Sequence, residues 1–372
     1  MKLRSERDTL VEVLNVAGRA AGGRGTSSAV LSGILLACEG NRLVATGTDL
    51  DLSIQVTEEV IGIESGACVV PARLSAEIVR SLEPGAVTLS GTEEKVEITA
   101  ARSHFELRAF PAVEFPSLSV PSDTALEIPA EQIARGLRQV VRAASKDDAR
   151  PLLTGVLVAA EGDGLRLVAT DSYRLAMRDL SGVASASKWE STLVPARALE
   201  ELLRLPAMSG ADPGAEAGVQ VTFGRTDVAF TLGGVRIATR LLEGTYPDYR
   251  QLIPESYSNT LAVAKESLLA ALRRVRLLVR DNITPVRISM RPGGADLTVV
   301  SQEIGEATET VDGDFTGEPL VIAFNPTYLI EGAEAVSGDE VLIETAEPSR
   351  PATVRGAEGS DYRYLLMPVR VS

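Results

Sequence analysis

The sequence predicts an α+β fold made of one unit repeated three times, and three observations carry that prediction. Val70-Pro71-Ala72-Arg73 recurs letter for letter at Val194-Pro195-Ala196-Arg197. Leu31-Ser32-Gly33-Ile34-Leu35-Leu36-Ala37 returns as Leu153-Thr154-Gly155-Val156-Leu157-Val158-Ala159, and Val44-Ala45-Thr46, just ahead of Asp49, returns as Val168-Ala169-Thr170, just ahead of Asp171. All three pairs are displaced by 122 to 124 residues, an agreement that isolated chance matches do not produce. A fainter third copy follows. Leu261-Ala262-Val263 answers the openings Met1-Lys2-Leu3 and Leu126-Glu127-Ile128, and Phe324-Asn325-Pro326-Thr327-Tyr328-Leu329 stands where the Val-Pro-Ala-Arg blocks stood. Each unit reads strand, helix, paired strands, helix, more strands. A chain of 372 residues holds three such units of ordinary domain size, expected at 1–122, 123–256 and 257–372.

The first helix of unit one is expected from about Ser5 to Ala20, with Ser5 and Asp8 as a capping pair and Leu10, Val13, Leu14 and Ala17 on its apolar face. Its counterpart in unit two begins at Pro129, a favoured first-turn residue, and carries Ile133, Leu137, Val140 and Ala144 as one stripe. At about 100° per residue, Arg135, Arg138 and Arg142 fall on nearly the opposite side. In unit three Leu268, Leu272, Val275 and Val279 turn inward, leaving Arg273, Arg274, Arg276 and Arg280 outside. The second helices repeat the pattern: Arg73 and Arg80 match Arg197 and Arg204 at identical spacing, whereas unit three has Glu331 and Glu334. A solvated arginine on one helix is commonplace; its recurrence on equivalent helices gives these faces meaning. Strands alternate at Arg42-Leu43-Val44-Ala45, Val96-Glu97-Ile98-Thr99 and Val228-Ala229-Phe230-Thr231. Loops are marked by Gly22-Gly23-Arg24-Gly25, by an insertion between Ser209 and Gly218, and by Arg291-Pro292-Gly293-Gly294.

Hydrophobic residues make up 45% of the chain, enough for several cores, and no stretch of about 18 apolar residues suggests a membrane span. The first residues are charged, with no apolar leader, so a cytoplasmic location is expected. Cys38 and Cys68 lie in apolar, strand-like segments and read as buried free thiols. The net charge of −14 argues against nucleic-acid binding by the average surface, though not by a local basic face. His104 is the one histidine, so no Ser-His-Asp or Cys-His arrangement is recognisable. Metal-ligand spacing is absent, and Asp49, Asp51 and Asp171 read as turn formers. No cofactor, metal or catalytic centre is expected.

The most specific segments are Ala169-Thr170-Asp171-Ser172-Tyr173-Arg174-Leu175-Ala176, Tyr246-Pro247-Asp248-Tyr249-Arg250, Phe324-Asn325-Pro326-Thr327-Tyr328 and Leu366-Met367-Pro368-Val369-Arg370. With the threefold repeat they make the whole chain resemble the bacterial DNA polymerase III β-subunit family, the replicative sliding clamps. That resemblance implies the DNA-clamp fold in a head-to-tail dimeric ring, helices inside and sheets outside. It also implies sequence-independent encirclement of double-stranded DNA by an accessory subunit without its own active site. The polymerase α subunit, the clamp loader and repair polymerases are implied as partners, docking short linear peptides.

The peptide pocket is matched by Leu153, Thr170, Ser172, Tyr173, Arg174, Leu175, Pro247, Leu252, Asn325, Tyr328, Met367, Pro368, Val369 and Arg370. For DNA, the resemblance adds Arg24, Lys146 and Arg150 to the arginines read from the helices. At the ring seam it matches Phe105 and Leu107 with Leu277 and Leu278, flanked by Lys95, Arg102, His104, Glu303, Glu306 and Glu309. The alternatives left open are a non-catalytic protein-interaction scaffold and an antibiotic-resistant second clamp copy.

Overall fold

A computed structural model describes residues 1–22, 28–118, 121, 125–183, 191–205, 208, 218–280, 284–357 and 361–370. Arg24 and most of the Ser209–Gly218 insertion lie outside the described residues.

Six α-helices are described: α1 (Arg7–Gly18), α2 (Ala72–Ser81), α3 (Ala130–Val140), α4 (Ala196–Leu203), α5 (Lys265–Val275) and α6 (Pro326–Ala335). Helix α1 starts two residues later than expected, and Glu6 precedes it without a side-chain cap. Ser5 belongs instead to the strand Lys2–Glu6, where it pairs with Val87, and the fully buried Leu3 anchors that strand in the core. Likewise Pro129 is not the first residue of α3 but the last of the strand Ala125–Pro129, paired with Gly218. A proline has no N–H to give to a ladder or to a helix, so it suits the handover between the two.

The repeat is visible in the strand register. Gly33 faces Pro71 and Ile34 faces Val70; Gly155 faces Pro195 and Val156 faces Val194; Val286 faces Phe324. In each case the second strand runs directly into the second helix of its unit. The glycines are required by close approach: a Cβ on Gly33 would lie 2.5 Å from Val69 Cγ1, and one on Gly155 2.9 Å from Leu193 Cδ1.

Three sheets are found among the described residues. One has five strands in the order Ile61–Glu64, Lys2–Glu6, Ala86–Gly91, Lys95–Ala100, Ser103–Arg108. The second has eight, running from Ala125–Pro129 through the strands of 218–240 to Leu52–Glu59 and on to Gly66–Pro71. The third has twelve, from Ser191–Pro195 through Arg174–Leu180 to Tyr362–Leu366 and ending at Leu320–Phe324. Repeats and compact bodies therefore do not coincide. Ile237 pairs with Ile54, and Ala176 pairs with Tyr364, so the middle repeat donates half its strands to each neighbour. The chain divides into one unit of Met1–Glu131 with Arg197–Leu241 and another of Gln132–Ala196 with Leu242–Ser372. Backbone pairing satisfies strand edges that would otherwise be left open at each repeat border.

Candidate functional site

In the second unit, the strand Gly164–Thr170 turns into Arg174–Leu180 through a loop built by its own side chains. Thr170 Oγ1 donates to the Arg174 carbonyl at 2.6 Å, and Asp171 Oδ1 accepts from the Tyr173 and Arg174 amides at 2.9 and 3.0 Å. Ser172 is held at φ 79°. Asp171 is thus a turn former, as its sequence context suggests. The first unit repeats this turn: Thr48 Oγ1 donates to the Leu52 carbonyl, and Asp49 Oδ1 accepts from the Asp51 and Leu52 amides, with Leu50 at φ 82°.

The turn presents its residues in two layers. Tyr173 is 60% exposed, and Ser172 is exposed beside it. Leu153, Thr170, Arg174 and Leu175 are buried beneath. Leu175 packs with Val168, Met177, Tyr249 and Leu365, and Tyr246 and Ile253 close over that cluster. The segment 246–253 is thereby laid on the sheet, leaving Pro247 exposed and Leu252 48% exposed. The chain end completes the arrangement. The Met367 amide donates to the Tyr173 carbonyl at 2.9 Å, and the Val369 amide donates to the Ala323 carbonyl at 2.8 Å. Met367 is 42% exposed, Pro368 and Val369 are half-buried and Arg370 is exposed. Asn325 caps α6, accepting from the Thr327 and Tyr328 amides. The arrangement offers exposed apolar side chains over a rigid apolar floor, with backbone and hydroxyl groups between them, which suits capture of an extended peptide.

Arg174 occupies a different place from the rest. Its Nε donates to Asp171 Oδ2 at 3.0 Å, Nη1 pairs with Glu331 and reaches Tyr364 Oη at 3.4 Å, and Nη2 donates to the Arg142 carbonyl. Burial works against its charge, but Tyr364 and Glu331 outweigh burial and hold its pKa above the ordinary arginine value. Arg174 is therefore committed to holding the turn against α6. Sequence reasoning missed its partners: Glu331 reads as a gap in a basic face, and nothing in the local sequence ties it to a residue 157 positions earlier.

Among the basic candidates, Arg73, Arg80, Arg135, Arg138, Arg142, Lys146, Arg197 and Arg204 are exposed. Several have acidic or polar partners: Arg73 with Glu77, Arg80 with Asn15, Arg142 with Glu334, Arg197 with Asp49 and Arg204 with Glu201. Glu334 also takes Arg273 at 2.7 Å. Arg150 is half-buried, pairing with Asp147 and donating to the Asp171 carbonyl and Ser172 Oγ.

The seam candidates sit on an edge strand and a turn. Phe105 and Leu107, both half-buried, lie on Ser103–Arg108, the last strand of the five-stranded sheet; His104 on that strand and Arg102 in the turn before it are exposed. Lys95 bridges Glu97 and Glu106 at 2.7 and 2.9 Å. Leu277 is 79% exposed in the turn after α5, and Leu278 is half-buried. Glu303 and Glu306 are exposed, while Glu309 is bound by Arg274 at 2.7 Å, which lowers its pKa.

Three copies of one strand–helix unit, joined through continuous sheets, define a DNA clamp. Family models for the N-terminal, central and C-terminal domains of the DNA polymerase III beta subunit match residues 1–119, 127–248 and 250–370. The beta sliding clamps of Streptomyces coelicolor and Synechococcus elongatus are each 33% identical, over all of this chain and all of theirs. The sliding clamp of Bacillus subtilis superposes with a TM-score of 0.92 at 29% identity, covering 100% of both chains. That of Bartonella birtlesii, solved bound to griselimycin, gives 0.93 at 29% identity, again with 100% of both chains covered. The chain belongs to the DNA polymerase III β-subunit family, the bacterial sliding clamps, which are processivity factors of replication.

Proposed function

We propose that two copies of this chain close head to tail into a ring around duplex DNA and tether polymerases that would otherwise dissociate. The observation that carries this is a basic surface on an acidic protein. The exposed Arg135, Arg138, Arg142 and Lys146 recur along one helix and its extension in a chain of net charge −14. Cations gathered on the helices attract the phosphate backbone without reading sequence, and an acidic remainder keeps DNA from other surfaces. Ion pairs such as Arg142–Glu334 and Arg197–Asp49 temper that attraction, which suits a ring that must slide.

Ring closure joins Phe105 and Leu107 of one protomer to Leu277 and Leu278 of the next, with Lys95 and Arg102 set against Glu303 and Glu306. The second-unit surface formed by Tyr173, Leu252, Tyr328, Met367 and the chain end takes short linear peptides. The polymerase III α subunit, the clamp loader and repair polymerases supply them in the cytoplasm. The protein performs no chemistry of its own; opening the ring falls to the loader.

Light scattering tests the assembly. The chain is expected at twice its 39.3 kDa mass, and Leu277→Asp at the monomer mass with an unchanged circular dichroism spectrum. A monomeric parent chain at micromolar concentration would favour a protein-interaction scaffold instead.

A further inference from the structure

The shared Thr-Asp turn aligns the strands around it at an offset of 122, not the 124 that the Val-Ala-Thr letters give, because Thr48 and Asp49 make the bonds of Thr170 and Asp171. Ser53 is then the equivalent of Leu175, Gln55 of Met177 and Thr46 of Val168. Strand register extends the match: Ala238 faces Ser53 as Leu365 faces Leu175, and Leu35 faces Thr46 as Leu157 faces Val168.

At these positions the units differ in kind. In the second, Val168, Leu175, Met177 and Leu365 pack with Tyr249 into a filled apolar cluster. In the first, Thr46, Ser53, Gln55 and Ala238 line an open cleft of about 380 Å³, roofed by the segment 112–118. Phe115 touches the cleft but packs with Val30, Leu31 and Val69.

The cleft also holds a cation without a carboxylate partner among the described residues. Arg236 lines it; among the described residues its buried Nε has no hydrogen-bond partner and its Nη2 reaches the Pro121 carbonyl at 3.4 Å. No carboxylate pairs with it among the described residues. A partly buried guanidinium left in this way is favourable only when an anion or several acceptors complete its shell. Leu35 on the same sheet and Phe115 and Leu118 on the segment 112–118 add apolar surface, and Val113 of that segment is 89% exposed. The volume falls within the usual range for ligand pockets.

We propose that this cleft is a second peptide-binding site, taking a short extended segment with a carboxylate beside one apolar side chain. Arg236 receives the carboxylate, the hydroxyls of Thr46 and Ser53 and the Gln55 amide meet the peptide backbone, and Leu35 with Phe115 contacts the apolar group. The choice of a peptide rests on reading the equivalent surface of the second unit as a peptide pocket. Different linings give the two sites different preferences: the second unit favours apolar anchors, and the first favours an acidic segment.

The test uses the dipeptide acetyl-leucyl-aspartate and saturation-transfer NMR on the full chain. Three variants accompany the parent protein. The first, Thr46→Val/Ser53→Leu/Gln55→Met, fills the cleft with the second unit's residues; the second, Arg236→Gln, removes the charge; the third, Tyr173→Ala/Met367→Ala, disables the second-unit surface. Millimolar binding is expected in the parent and in the third variant, weakened about tenfold or more in the first two. Thermal melting of the filled variant at or above the parent temperature shows that it folds. Absence of binding to the parent, equal binding to the filled and charge-removed variants, or loss confined to the third variant would overturn the proposal. Dipeptide binding in the cleft, with no peptide held by the second unit, would leave this site standing while the pocket reading failed.

Discussion

The guanidinium carbon of Arg174 lies 4.3 Å from the centroid of the Tyr328 ring, stacking the turn of one strand pair on the first turn of α6. Tyr364 Oη donates to the Tyr328 carbonyl at 3.0 Å, so the same helical turn is gripped from two sides. The proposed peptide surface therefore owes its shape to a buried ionic network rather than to its exposed residues.

Replacing Arg174 by Met should destabilise the protein by about 3–5 kcal/mol, because Asp171 is left buried without its cation and Glu331 loses its partner. Arg174→Lys should recover little of this, since one ammonium cannot reach Asp171, Glu331 and the Arg142 carbonyl together. Urea denaturation of the two variants measures the difference. Parent-like stability in either would show the network to be dispensable.

Gly332→Ala tests the packing behind that surface. An added Cβ would sit 2.4 Å from Tyr364 Cδ1 and 2.5 Å from Cε1, against a ring that is fully buried. Helix propensity alone favours alanine by about 1 kcal/mol. Overpacking costs about 1–3 kcal/mol, so net destabilisation with weaker peptide binding is expected. A raised melting temperature would contradict this packing.

Burial pushes the Cys68 thiol up to about 11. A thiol whose pKa is raised on folding contributes stability that is complete below the unfolded value. That stability is lost as pH climbs through the folded value, because only the unfolded chain ionises in between. The stability of the parent relative to Cys68→Ala should therefore fall by roughly 2–3 kcal/mol between pH 9 and pH 11, from about 1.36 kcal/mol per pH unit. Denaturation curves across that window check the sign. A constant difference would place the thiol in contact with solvent.

Much of this was legible in the sequence, and the rest was not for identifiable reasons. The Val-Pro-Ala-Arg blocks mark real strand–helix handovers because proline and the close-packed Gly33 and Gly155 leave few local alternatives. The Tyr173 carbonyl takes the Met367 amide and Leu175 packs with Tyr249, so three of the segments that the sequence marks as most specific meet in space. Helix α1 begins at Arg7 rather than Ser5 because strand pairing across 82 positions, Ser5 with Val87, overrides a local capping signal. The ionic partners of Arg174 are not legible, because Glu331 and Tyr364 are distant in the chain. Nor does any local pattern reveal the division into two units, which is decided by which strand edges meet.

Arg138→Gln on α3 should weaken DNA binding to a similar degree for every duplex sequence. It should also reduce the slope of log K against log salt by about 0.9 if one phosphate contact is lost. Fluorescence anisotropy on two unrelated duplexes measures both. A sequence-dependent loss would mean that the helix reads bases.

The most direct test of the central claim is retention of loader-assembled protein on nicked circular DNA at moderate salt, before and after the circle is cut. A topological clamp stays on the circle and runs off the linear ends within the time of the assay. Equal retention on both forms would show ordinary surface binding and contradict encirclement.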